Sequence, residues 1–125
     1  MAESESTTWM FMDEIKDPTS VSVASQILPG EVPLAAYETF RHQALVTSER
    51  IIVRDSRDVS GESVEVLSLP FKTVLMWSMR SAGSRSFTAQ LDLVTLAGDI
   101  TIRLGRQIDV ERLNSLVAQG VLRGR

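Results

Sequence analysis

Gly98-Asp99-Ile100-Thr101-Ile102-Arg103-Leu104-Gly105, followed by Asp109-Val110-Glu111-Arg112-Leu113-Asn114-Ser115-Leu116-Val117-Ala118-Gln119-Gly120-Val121, changes its hydrophobic period within a few residues. Ile100, Ile102 and Leu104 point one way and Thr101 and Arg103 the other, the period-two pattern of a strand with one buried face. Beyond Gly105, Leu113, Leu116, Val117 and Val121 fall on one stripe at helical spacing, with Asp109 as N-cap and Gly120 or Gly124 near the end. A helix with a single apolar stripe must bury it against another element. The open end or seam of a strongly bent sheet is the place for it.

Working back from that strand, short β segments follow one another. In 87–97, Phe87, Ala89, Leu91 and Leu93 alternate with Thr88, Gln90 and Asp92. Further strands are expected over 73–80, over 63–69 (stopped by Pro70), and over 50–55, 43–47 and 36–40. In 50–55, Ile51 and Val53 share one face, and Arg50, Ile52 and Arg54 the other. About seven antiparallel strands followed by one helix is the resulting order.

Upstream the pattern is less regular. Asp17-Pro18 reads as an N-cap with proline at the first helical position, and Val21, Ala24 and Leu28 keep helical spacing up to Pro29-Gly30. The same stretch alternates at Val21-Ser22-Val23, so a strand stays open beside the short helix. Trp9-Met10-Phe11-Met12 is an apolar tetrad in an acidic segment. It either docks against its own domain or anchors a subunit or partner interface, where Trp, Phe and Met are enriched. The chain thus divides into an acidic N-terminal segment with a short helix, 1–26, and a β domain, 27–125.

Composition bounds the function. The 125 residues carry a net charge of -3, 43% hydrophobic and 23% charged residues, no Cys and one His. That describes a single soluble domain without a membrane-spanning helix, and a cytoplasmic location is the default without a signal sequence at the N-terminus. Basic and acidic groups nearly balance after residue 17, which is not the one-signed stripe that nucleic-acid binding needs. Without Cys, and with His42 alone, no His-pair or Cys metal motif can form, and no nucleophile elbow or phosphate loop is present. Asp55 and Asp58 read as turn formers, and Gly83, Gly98 and Gly105 as strand-boundary glycines. The chain is therefore expected to be non-catalytic, with no cofactor and no metal.

Several stretches resemble the bacterial pleckstrin-homology (PH-like) domain family. They are Ile27-Leu28-Pro29-Gly30-Glu31, Val46-Thr47-Ser48-Glu49-Arg50-Ile51-Ile52-Val53-Arg54-Asp55, Ser60-Gly61-Glu62-Ser63-Val64-Glu65, Leu69-Pro70-Phe71-Lys72-Thr73-Val74, Ser81-Ala82-Gly83 and Ile108-Asp109. The resemblance spans residues 27–122. It implies a mainly β fold, a seven-stranded bent antiparallel sandwich or partial barrel capped by a C-terminal helix. It also implies a non-enzymatic module, some members of which assemble into homo-oligomeric rings. Where the family usually carries Lys, in the Ser48-Glu49 turn and at Glu62-Ser63, this chain has acidic or neutral groups, which weakens any charge-based activity.

Two candidate surfaces follow. Many eukaryotic PH domains hold phosphoinositide headgroups with basic residues around the first hairpin loop, but here that loop, near Arg41-His42-Gln43, is short and carries one permanent charge. Arg50 and Arg54 are the anion-site candidates, yet about 13 Å apart along a strand at ~3.3 Å per residue they do not converge on one phosphate. Binding of anionic lipid is therefore the alternative reading, not the leading one. In 73–80, Leu75, Trp77 and Met79 can face the core, leaving Val74 and Met76 outward, either beneath the N-terminal helix or in a subunit interface. Trp9, Phe11, Met12, Val74 and Met76 are the interface candidates, self-association the expected partnership, possibly as a ring, and a further protein partner is open. The expected role is a homo-oligomeric binding or scaffolding module.

Overall fold

The seven strands form within two or three residues of their expected bounds, and an eighth precedes them. The computed structural model describes residues 6–56, 63–81 and 87–123. Its strands are β1 (Ser6–Ile15), β2 (Pro33–Thr39), β3 (His42–Thr47), β4 (Arg50–Ser56), β5 (Val64–Pro70), β6 (Val74–Ser81), β7 (Phe87–Thr95) and β8 (Gly98–Gly105), followed by one helix, α1 (Val110–Arg123). The quoted residues Ser60, Gly61 and Glu62, Ala82 and Gly83, Asp58, and Gly124 lie outside the described residues.

All eight strands belong to one open sheet, in the order β5-β4-β3-β2-β1-β8-β7-β6. The apolar tetrad lies in β1, at the centre of that sheet. Residues Ser6 to Phe11 pair in parallel with β8, and Phe11 to Ile15 pair antiparallel with β2. The strand changes partner at Phe11, and Met12 is the extra residue of a bulge there, since Phe11 pairs with Thr39 and Asp13 with Glu38. Bulges bend strands, so β1 turns the corner between two antiparallel halves. The one parallel ladder had no counterpart in the expected all-antiparallel order.

The bend encloses the main core. Trp9 and Phe11 enter it from β1, Phe11 stacked on Tyr37 with ring centroids 5.0 Å apart. Leu91, Leu93, Ile102 and Leu104 fill the β7–β8 side, and Ile51, Val53 and Leu69 the other. Helix α1 seals the seam with Leu113, Val117 and Val121, as its stripe required. Asp109 caps it, its Oδ1 accepting the Arg112 amide at 3.0 Å. Phe71, in a short 3-10 turn between β5 and β6, packs against Gly120, where a Cβ would lie 2.2 Å from the ring. Asn114 Oδ1 accepts from the Trp77 indole at 3.0 Å, and Arg112 reaches the Glu14 carboxylate and the Leu34 carbonyl.

A second, smaller core lies on the opposite face of β2, β3 and β4. Instead of one helix, residues 18–28 form two 3-10 turns, Pro18–Ser20 and Ser22–Gln26, that bury Val21 and Val23 against Ala36, Leu45 and Ile52. Serine and β-branched valine favour α-helix poorly, and the packing is gained instead by two valines at period two. Leu28, on the expected stripe, is exposed. Burial on both faces explains the unbroken apolar runs Ala35-Ala36-Tyr37, Ala44-Leu45-Val46 and Ile51-Ile52-Val53.

At Met12 the corner brings two backbones together. A Cβ on Gly105 would stand 2.3 Å from the Met12 carbonyl oxygen, and neither partner is a side chain that could swing aside. Gly105→Ala is expected to cost about 1–3 kcal/mol, the usual range for overpacking, and to lower Tm by several degrees in a thermal melt followed by circular dichroism. An unchanged Tm would mean that the corner is not tight.

Candidate functional site

Thr47-Ser48-Glu49-Arg50, the tight turn from β3 to β4, places the Arg50 guanidinium over the 26–31 segment. Arg50 Nε and Nη2 donate to the two carboxylate oxygens of Glu31 at 2.8 and 3.0 Å, a bidentate pair. The Glu31 side chain is 1% exposed. Its remaining capacity is met by the Leu28 amide at 3.0 Å and the Thr47 hydroxyl at 2.6 Å. Arg50 donates further to the Gln26 carbonyl at 3.0 Å and to Ser68 Oγ at 3.1 Å. Thr47 Oγ1 also accepts the Glu49 and Arg50 amides, which closes the turn. The network joins the 3-10 segment to β3, β4 and β5.

The anion-site expectation at Arg50 and Arg54 therefore meets an obstacle. Arg50 is committed to an internal carboxylate, and hydrogen bonding to it holds Glu31 down at a pKa of about 2 against the cost of burial. Arg54 lies beside His42, Nη1 to Nε2 at 2.7 Å. A guanidinium can only donate, so Nε2 accepts and the imidazole carries its proton on Nδ1. Burial, and then the Arg54 charge, push the His42 pKa down. The two arginines do not converge, and among the described residues His42 Nδ1 has no hydrogen-bond partner.

The interface candidates divide. Trp9, Phe11 and Val74 are buried in the main core, a correction of the outward placement of Val74, and of the three only Trp9 keeps a small exposed edge. Met12 is half-buried at the β1 bulge. The register explains Val74: Val74 pairs with Thr95 and Met76 with Val94, so Leu75 is an extra residue that resets the alternation. Val74 then faces in, Trp77 and Met79 pack against the core, and Leu75 and Met76 are both 63% exposed. The 3-10 segment does not cover them, since it lies over Ala36, Leu45 and Ile52. Leu75 is an exposed residue that the alternation placed in the core, and a bulge leaves no mark in a sequence.

Of the concavities on this scaffold, two bear on these residues. One, of about 280 Å³, is lined by Leu28, Glu31, Glu49, Arg50, Lys72 and Gly120. The other lies at the opposite mouth of the bent sheet, about 390 Å³, between Thr7, Thr8 and Trp9 of β1 and Val53, Asp55 and Leu67 of β4 and β5.

The bacterial PH domain family model matches residues 5–121 of this sequence, thus including β1 and reaching into the last turn of α1. The chain belongs to the bacterial PH domain family. A DUF1696 family protein with a pleckstrin-homology domain from Shewanella loihica superposes on this PH domain with a TM-score of 0.78 at 22% identity, covering 88% of this chain and 97% of that one. A pleckstrin homology domain from Shewanella amazonensis gives 0.61 at 25% identity, over 80% and 82%. The protein YjqA of Bacillus subtilis is 28% identical over 71 residues, and the match covers 57% of each chain. The PH domain's family is generally non-catalytic. The fold expected from the sequence, mainly β with a C-terminal helix, is the fold observed, with β1 added.

The Glu31–Arg50 pair predicts an acid-labile PH domain. Glu31 titrates near 2 when folded, against an ordinary 4.5, so its contribution is complete above pH 4.5 and is lost as pH falls towards 2. At 1.36 kcal/mol per pKa unit this is on the order of 3 kcal/mol. Urea unfolding at a series of pH values should show that loss in the natural chain. Glu31→Gln should be less stable at pH 7 and lack this component of the acid slope. Parallel slopes for the two proteins would contradict the buried pair.

Proposed function

We propose that this PH domain is a non-catalytic, cytoplasmic binding or scaffolding module that works as a homo-oligomer. The observation that carries the reading is Leu75 and Met76, adjacent and each 63% exposed, on an edge strand of an open sheet. Apolar side chains also line the other edge, where Val64, Val66 and Leu67 of β5 are exposed. Natural proteins blunt exposed sheet edges with charge, proline or bulges, and a bulge at Leu75 without charge discourages strand addition while leaving apolar side chains to be covered. A contact between the β6 edge of one copy and the β5 edge of the next joins two different surfaces. Such contacts repeat, and they close into rings when the angle permits.

The alternative, a peripheral domain for anionic lipid headgroups, has less support. Arg50 and Arg54 are engaged within the chain, and a single cation near an acidic membrane contributes only about 1 kcal/mol.

Light scattering at micromolar concentration should report a mass several times 13.8 kDa. Met76→Glu should give folded monomers, because an unpaired charge buried in every interface costs several kcal/mol at each. A monomeric natural chain would refute the reading, and an oligomer indifferent to Met76→Glu would move the interface elsewhere. Salt-sensitive pelleting with acidic liposomes would promote the lipid alternative.

A further inference from the structure

Strand β1 is paired on both sides only over its second half. Its ladder with β2 begins at Phe11, whereas its ladder with β8 runs from Ser6 to Phe11. The β2 chain leaves at the hairpin, where the Phe40 amide donates to the Met10 carbonyl at 3.2 Å. That bond fixes which way the β1 backbone points. Strand backbones alternate, so Thr8 and Ser6, in phase with Met10, aim their N–H and C=O groups away from β8 and into the space that β2 has vacated. Among the described residues no strand pairs with them on that side.

The vacated space is the 390 Å³ mouth described above. Trp9 forms its floor, Val53 and Leu67 face it from the inner side of β4 and β5, Asp55 stands above Val53 in the same inward row, and Arg41 also lines the space. No ion pair holds Asp55 among the described residues. An exposed half-edge of backbone, an apolar floor and the Asp55 carboxylate are three separate features of one slot. Backbone donors and acceptors in a row are matched by another extended backbone. The floor suits an aliphatic side chain, and the Asp55 carboxylate suits a cation two residues along the same inward row.

We infer that this slot binds an extended peptide segment of a partner protein, which adds as a strand to the Ser6–Thr8 edge of β1 with an aliphatic side chain over Trp9 and a Lys or Arg at Asp55. The site shares Leu67 of β5 with the edge proposed above to meet a neighbouring copy, but its backbone groups come from β1. The slot lies on the β1 side of the mouth, and Leu75 and Met76 are on the β6 edge.

The probe is the capped peptide Thr-Leu-Thr-Lys-Thr-Leu-Thr-Lys, whose alternate side chains supply the inward row, titrated into the full chain by calorimetry and followed by hydrogen exchange. Saturable binding that protects the amide of Thr8 is expected. Thr8→Pro deletes an N–H that no ladder among the described residues uses, so it should retain the fold and weaken binding at least tenfold. A peptide N-methylated at alternate threonines tests the same bond without altering the protein and should also bind at least tenfold more weakly. Replacing both lysines with glutamate should abolish binding, and Asp55→Asn should reduce it several-fold and flatten its salt dependence. The inference is overturned if the lysine peptide does not bind at millimolar concentration or protects Val74–Ser81 instead. It is equally overturned if the Thr8 amide is already protected in the free domain, or if the N-methylated or glutamate peptide binds as well as the parent.

Discussion

The close approach of Gly105 to the Met12 carbonyl is the constraint on which the architecture depends. Two antiparallel halves of one sheet meet at β1, and β1 serves both because it changes partner at one residue and bulges at the next. A side chain at 105 would hold the backbones apart where β1 must turn. Trp9 and Phe11, on the β8-paired side of that corner, would then lose their places in the core. Each buried side chain of that size contributes roughly 1.5–3 kcal/mol, so the corner carries a large share of a typical domain stability of about 5–15 kcal/mol.

From the corner outward, each remaining element covers a surface that the bend creates. Curling the sheet leaves a seam between β5 and β6, and α1 fills it, held by Phe71 against Gly120, by Trp77 and Asn114, and by Arg112 with Glu14. The convex face of β2, β3 and β4 is covered by two 3-10 turns too short to bury much by themselves. Their position is secured by polar bonds, because Glu31 and Arg50 tie the end of that segment to the β3–β4 turn. Burying an ion pair is costly unless every remaining donor and acceptor is met. Leu28, Thr47, Gln26 and Ser68 meet them here.

The surfaces proposed for function are the places where this covering stops. The β6 edge keeps two apolar side chains outside, and the first half of β1 keeps backbone groups outside, each because a strand lacks a neighbour. An arginine-rich strand, by contrast, became structural: one arginine closed an internal ion pair and the other settled on a neutral histidine. Both arginines of that strand thus have acceptors within the chain.

Periodicity and end signals are local, and what they determine was legible in the sequence. Seven strands, the break at Gly105, the stripe of Leu113, Val117 and Val121 and the Asp109 cap follow from spacing alone, because a strand or helix with one buried face must write that face into its period. The turn residues Thr47 and Arg50 were likewise visible as a motif, though not the partner Glu31, which lies 19 residues from Arg50. Only the tertiary structure decided where Trp9-Met10-Phe11-Met12 goes, since an apolar tetrad is equally consistent with a core strand and an interface anchor. It decided the fate of Val74 and Leu75 too: one extra residue in a strand inverts the facing of those before it, and only pairing with β7 fixes where that residue sits. Which carboxylate met Arg50, and which edges were left without a neighbour, depended on contacts between segments far apart in the chain, and no local pattern encodes those.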